Sequence, residues 1–247
     1  MPWVFEDIAA AVAQGLRRRA AMVDAEQGVR GLEALEEVGL HPVVAAGLEG
    51  EGFGVLREQG YPGVAGAPIR RERERCDVVV LPRGGTRLLD PVTRRLERRA
   101  ASGTLFESHV AAEQERESGG GEEPADGGVA CDEALWLEVK LAAQYAYTDG
   151  VPGPNPSYVA DMTAFIGDLA KLARDQVILH AAAVVVLFSQ CEATLRHDLG
   201  VAVERALAKD LPLAAPAVEC FPMTDRIGNA VCGVAVVGLR KATVVGW

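Results

Sequence analysis

Four short apolar segments constrain the fold of this chain more than any other feature of its sequence. They cover residues 76–81, 134–141, 181–188 and 231–239, and Val, Leu and Ala fill most of their positions. Apolar runs of this length, bounded by Pro, Gly or charged residues, are typical of buried strands. The longest apolar run, residues 177–188, is too short for a membrane-spanning helix, which needs about 20 residues. We therefore expect a buried sheet and no membrane segment.

Helical periodicity occurs before the first apolar segment and again between the later ones. Ile8, Val12 and Leu16 recur at helical spacing and predict a buried stripe. A short strand is predicted over residues 54–58. A second helix is predicted to begin at His41. Two further helices are predicted over residues 158–175 and 192–207. Helices alternating with strands in this order predict an α/β fold with a mixed central sheet flanked by helices.

A Glu- and Gly-rich segment at about residues 103–130 interrupts this pattern. It lacks the apolar content needed to pack into a core, so we expect a mobile surface insertion. Residues 1–39 are predicted to form an N-terminal helical segment. Residues 40–247 are predicted to form a single α/β domain that carries the insertion.

The composition excludes some classes of protein. The chain has 25 Lys and Arg against 35 Asp and Glu, a formal net charge of −10, which argues against coating nucleic acid through bulk charge. The arginines between Arg70 and Arg99 could contact phosphates, although a solvated surface of mixed charge explains them equally well. Five cysteines without a Cys-x-x-Cys pair predict reduced thiols. Together with the absence of a basic, apolar leader, they predict a cytoplasmic protein.

Charged residues inside two of the predicted strands are the candidates for chemistry. Glu138 and Lys140 are two residues apart, so their side chains share one strand face about 6–7 Å apart. Asp77 shares a strand face with Val79 and Leu81, and a buried acid is costly unless a cation accompanies it. If the two strands are neighbours, Asp77 and Glu138 supply hard oxygen ligands that suit Mg²⁺ or Mn²⁺. Lys140 would then lie beside a metal-bound water.

At these residues the chain resembles the PD-(D/E)xK nuclease superfamily. Asp77 on one strand and Glu138-Val139-Lys140 on the next, followed by a helix and a buried strand, carry the resemblance over about residues 40–190. The resemblance implies a restriction-endonuclease-like core in the order α-β-β-β-α-β. It also implies that Asp77, Glu138 and the Val139 carbonyl bind Mg²⁺ or Mn²⁺, and that Lys140 is the catalytic lysine.

Many members of the superfamily have a further acid in the first helix or first strand. Glu58 is the best candidate for it here, and Glu49 is the second. Cys76 stands where the proline of the family name is expected, and about fifty residues separate the two catalytic strands, so no subfamily is assigned. His41 and His180 are predicted to begin a helix and a strand and not to bind metal.

The resemblance implies a metal-dependent nuclease that hydrolyses phosphodiester bonds, in DNA rather than RNA, with nucleic acid as its partner and a possible homodimer or protein partner. The acidic charge favours an alternative, a non-catalytic module of the same fold that binds protein or nucleic acid. An unrelated α/β enzyme acting on a small molecule would place Asp77 and Lys140 on opposite sides of the sheet. The three charged residues also have purely structural interpretations. Glu138 and Lys140 could form a salt bridge on an exposed sheet face, and Asp77 could pair with Arg73 or Arg75.

Overall fold

The computed structural model describes residues 3–64, 74–89, 102–104, 106, 108–109 and 128–241. Its long helices are α1 (Phe5–Ala25), α2 (Glu37–Gly50), α3 (Tyr158–Arg174) and α4 (Glu192–Leu207). Its first strands are β1 (Gly54–Gly60), β2 (Arg75–Leu81), β3 (Arg87–Leu89), β4 (Gly128–Ala130) and β5 (Leu135–Ala143). The later strands are β6 (Tyr145–Thr148), β7 (Val151–Pro154), β8 (His180–Ser189), β9 (Ala217–Pro222) and β10 (Val231–Gly238).

A six-stranded mixed sheet forms the centre of the fold, in the order β1-β2-β5-β8-β10-β9. β5 and β8 are parallel, and the other neighbouring pairs are antiparallel. The connection between β5 and β8 contains α3, because parallel neighbours need a crossover. The predicted α/β class with a mixed central sheet flanked by helices is confirmed.

The sheet separates two hydrophobic cores. α1 and α2 cover one face, where the predicted stripe of Ile8, Val12 and Leu16 is buried. α3 and α4 cover the other face with residues such as Phe165 and Leu195. These apolar faces place α2 and α3 on opposite sides of β5.

A glycine lets the two N-terminal helices cross in close contact. A β-carbon at Gly47 of α2 would lie 2.6 Å from the carbonyl oxygen of Ala11 in α1, closer than such atoms can approach. The absence of a side chain at Gly47 therefore determines how near α2 lies to α1, and with it the position of the α2 residues that face the sheet.

The structure differs from the sequence-based prediction at the start of α2 and at several short strands. α2 begins at Glu37, four residues before the predicted start at His41, so Pro42 lies inside the helix, where it lacks a hydrogen-bond donor. The β6–β7 hairpin and the edge strand β9 were not predicted. β7 contains Pro and Gly, β9 ends in Pro, and none of the three shows the apolar run that identifies a buried strand.

Most of the predicted insertion lies outside the described residues, as do Arg70, Arg73 and the arginines of residues 94–99. The last three residues of the predicted insertion form a strand, because β4 pairs in parallel with β3. Leu88 and Val129 from this pair are buried in the core beneath α3 and α4. The end of the segment is thus part of the packed fold.

Two expectations about composition are met. All five cysteines are free, as predicted. None of the helices in the described part of the chain combines the length and the apolar character needed to cross a membrane.

Candidate metal centre

Three acidic residues lie in one row across neighbouring strands. The register of β1 with β2 pairs Arg57 with Val78 and Gln59 with Cys76, so Glu58 and Asp77 lie between two paired positions. Continuing the register of β2 and β5 by one residue places Asp77 opposite Glu138. The predicted neighbouring position of the two strands is confirmed, and it brings together acids that are far apart along the chain.

The ladder between β2 and β5 ends where the row begins. After three residue pairs, the Oδ2 atom of Asp77 accepts a hydrogen bond from the Val139 N–H at 2.8 Å, so a side chain replaces a backbone partner. Strand alternation is also interrupted here, since Cys76 lies in the same core as Val79 and Leu81. This local departure from regular pairing lets the Asp77 carboxylate reach both the edge of β5 and helix α2.

His41, in the second turn of α2, forms a cluster with Glu58 and Asp77. Its Nδ1 lies 3.7 Å from Glu58 Oε1, and its Nε2 lies 3.9 Å from Asp77 Oδ2. One ligand atom from each residue lies within 4.8 Å of the others. His41 is 4% exposed, and its Nε2 has no hydrogen-bond partner among the described residues. A buried polar atom without a partner is costly, and a cation shared by the three groups would give it one.

The backbone of Glu58 has an uncommon conformation. Its φ is +55°, and among the described non-glycine residues with positive φ it is the one that lies inside a strand. Such a conformation costs an L-residue roughly 1–2 kcal/mol. The Glu58 side chain is 60% exposed, so burial does not offset this cost. The conformation takes Glu58 out of the ladder and holds its carboxylate beside His41.

A pair of substitutions tests whether Glu58 is strained. Both Glu58→Ala and Glu58→Gly remove the carboxylate, but only glycine adopts a positive φ without steric cost. We expect Glu58→Gly to exceed Glu58→Ala by about 1 kcal/mol in the free energy of unfolding, measured by urea denaturation. At the neighbouring position 59, the Gln59→Gly variant should instead be less stable than the Gln59→Ala variant. An alanine variant at position 58 as stable as the glycine variant would contradict a strained backbone.

Glu138 is buried, and it accepts a hydrogen bond from the hydroxyl of Tyr61. The Tyr61 ring stacks on Trp136 with a centroid distance of 6.3 Å, which fixes the hydroxyl in place. Burial, and after it the charge of Asp77, raises the pKa of Glu138 to about 8. Burial and the charge of Asp77 therefore favour the protonated form of Glu138. The alternative of an exposed Glu138–Lys140 salt bridge is wrong.

The ammonium of Lys140 pairs with two other carboxylates. Its Nζ lies 2.7 Å from Glu37 Oε1 and 3.2 Å from Asp168 Oδ2. Burial alone would lower the pKa of Lys140, but the hydrogen bonds and charges of Glu37 and Asp168 outweigh burial and raise it. Lys140 is therefore a cation at neutral pH. It is suited to stabilising negative charge and orienting a water, and not to removing a proton.

Asp77 and Lys140 both extend to the same helix. Glu37 and His41 are four residues apart on α2 and so lie on one helix face. Glu37 contacts Lys140, and His41 lies beside Asp77. One face of α2 therefore contacts both of these residues.

Other predicted or considered residues lie apart from this cluster. Glu49 is exposed near the end of α2, and His180 begins β8 opposite Leu135. Neither belongs to the group of possible metal ligands found within the described residues.

Sequence reasoning missed His41, Glu37 and Asp168 as site residues. The spacing of Glu37 and His41 was a usable signal, since it places an acid and an imidazole on one helix face. The sequence signal for Asp168 was weaker: it is an acid within the apolar face of a predicted helix.

Comparison with known proteins gave no relative on which to base a family assignment: no protein-family model, no curated protein and no solved structure matches the chain.

Proposed function

We propose that this protein is a metal-dependent nuclease that hydrolyses phosphodiester bonds, in DNA rather than RNA. The observation that carries the proposal is the His41–Glu58–Asp77 cluster, together with Lys140, whose partner Glu37 lies one helical turn before His41. Phosphoryl transfer needs groups that position a nucleophile and offset negative charge on the phosphoryl oxygens. A divalent cation bound by the cluster and the ammonium group of Lys140 would supply both. The choice of DNA comes from the resemblance of the sequence.

The chain order of the surrounding elements supports the same proposal. If the short strand pairs β3–β4 and β6–β7 are left aside, the main elements from α2 to β8 follow as helix, strand, strand, strand, helix and strand. This is the order that a restriction-endonuclease-like core would have. The ladder between β2 and β5 ends at Asp77, so the candidate ligands lie where the two strands stop pairing.

Electrostatics favours a site that needs a cation before it can accept a polyanion. Glu58 and Asp77 are acidic, and a phosphodiester approaching them alone would be repelled. A divalent ion held by these carboxylates and the imidazole of His41 would cancel the charge of the carboxylates. Lys140 could then attract the phosphate. We therefore expect nucleic-acid binding to depend on the metal.

The donor set fits a divalent ion that accepts both oxygen and nitrogen. His41, Glu58 and Asp77 would hold it, and the resemblance adds Glu138 and the Val139 carbonyl. Mg²⁺ prefers oxygen ligands, whereas an imidazole in the site favours Mn²⁺. Such an ion supplies an acidic water and stabilises charge on a phosphoryl oxygen. Among the residues of the chain, Lys140 orients the water and the phosphate, and Tyr61 fixes the carboxyl of Glu138.

A cleavage assay on the full chain tests the proposal. Plasmid DNA and a single-stranded RNA would be incubated with the protein in MnCl₂, in MgCl₂ or in EDTA. We expect DNA cleavage with Mn²⁺, weaker cleavage with Mg²⁺ and none in EDTA, and no cleavage by Asp77→Asn in any condition. Equal cleavage by wild type and Asp77→Asn would show a contaminant. A folded chain that binds DNA or protein without cutting would overturn the proposal in favour of the non-catalytic module.

A further inference from the structure

A second lysine lies beside the site and has no part in the reaction described above. Lys171 follows Asp168 by three residues on α3, and its Nζ lies 2.7 Å from Asp168 Oδ1. The other oxygen of the same carboxylate, Oδ2, lies 3.2 Å from Lys140 Nζ. One carboxylate thus bridges two ammonium groups, one from the sheet and one from a helix.

This bridge differs from an ordinary ion pair on a helix surface. An exposed i, i+3 pair contributes little to stability and needs no functional explanation. Here the Asp168 side chain is only 13% exposed, because it lies between α3 and β5, while Lys171 is 45% exposed. The partly buried carboxylate therefore fixes the end of a side chain that solvent, or a ligand, can reach.

The charge of Lys171 acts on the row of acids. It partly offsets the rise in the pKa of the Glu138 carboxyl that burial and Asp77 cause. The Lys171 ammonium therefore lies within electrostatic reach of Glu138, on the side of the sheet that α3 covers. Asp168 carries one negative charge for two ammonium groups. The second negative charge comes from Glu37, which pairs with Lys140.

We propose that Lys171 is a second phosphate-binding lysine, and that Asp168 positions Lys140 and Lys171 to contact neighbouring phosphate groups of one nucleic-acid strand. The inference rests on the proposed nuclease function. Lys140, the more buried of the two, serves the phosphate at the reacting bond. Lys171, the more exposed, contacts an adjacent phosphate and holds the strand in register. Two ammonium groups on one carboxylate suit this task because successive phosphates of a strand are themselves close together.

The test of Lys171 separates binding from chemistry. Steady-state cleavage of a fluorescein-labelled DNA duplex would be measured in MnCl₂, and its affinity would be measured by anisotropy in CaCl₂ over a range of salt concentrations. We expect Lys171→Ala to raise KM about three- to tenfold with little change in kcat. The slope of log affinity against log salt should fall by about one. Lys171→Arg should restore both, and Lys209→Ala, which removes an exposed lysine after α4, should change neither.

Asp168→Asn tests positioning. If Asp168 holds the two lysines in place, this variant should lose kcat while keeping or gaining DNA affinity, because a negative charge has been removed. Asp168→Glu should recover part of the rate. If Asp168→Asn raises both kcat and affinity, Asp168 only repels the substrate, and its positioning role is overturned.

The outcomes also separate this inference from the proposed function. A wild-type protein that cleaves DNA, with a Lys171→Ala variant of unchanged KM and salt slope, overturns the second lysine and leaves the nuclease intact. A wild-type protein that neither binds nor cleaves DNA overturns both.

Discussion

Replacing His41 with alanine is expected to weaken Mn²⁺ binding by about 100-fold or more. Loss of a residue that only orients a metal ligand typically costs about 10–100-fold in affinity, so loss of a ligand should cost at least as much. Mg²⁺ affinity should fall less, because Mg²⁺ takes most of its interactions from oxygen and Glu58 and Asp77 remain. The ratio of the two affinities should therefore shift toward Mg²⁺.

Titration calorimetry at fixed pH measures both affinities, and the electron paramagnetic resonance of bound Mn²⁺ gives a second readout. Nitrogen coupling from the imidazole should be present in the wild type and absent in His41→Ala. His197→Ala is the matched control, since His197 is an exposed histidine on α4, on the other side of the sheet. Unchanged Mn²⁺ affinity in His41→Ala, or a spectrum without nitrogen coupling in the wild type, would remove His41 from the ligand set.

The sheet and the neighbouring position of two acids could be predicted because both depend on local pattern. Buried strands are identified by short apolar runs, and the sequence contains them at β2, β5, β8 and β10. An acid inside such a run stands out because burying it is costly. Once β2 and β5 were expected to be neighbours, Asp77 and Glu138 followed as a pair.

The other partners at the site depend on how distant elements pack, which local pattern does not record. Lys140 binds Glu37, 103 residues earlier in the chain. His41 reaches Asp77 because α2 starts earlier than its proline suggested and crosses α1 closely. The positive φ of Glu58 has no signature in the sequence, since glycine is the residue expected there. These features arise from tertiary packing and local strain.

Lys140→Ala is expected to lower kcat for DNA cleavage by about 10²–10³-fold, the effect typical of losing one group that stabilises transition-state charge. Lys140→Arg should keep a substantial part of the rate. The carboxylates around Lys140 raise its pKa, so it is an ammonium throughout the neutral range and acts through charge. Arginine replaces a charge but cannot replace a general base. The measurement is single-turnover cleavage of a labelled duplex at saturating Mn²⁺.

The same variants should leave the metal site intact. Lys140 is not among the clustered ligands, and in its absence Asp168 keeps Lys171 while Glu37, which is partly exposed, can be solvated. Mn²⁺ affinity and the urea midpoint of Lys140→Ala should therefore stay close to those of wild type and of Lys209→Ala. If Lys140→Arg is as inactive as Lys140→Ala although it binds Mn²⁺ normally, a positive charge at this position is not sufficient. Proton transfer by the lysine would then have to replace charge stabilisation as its role.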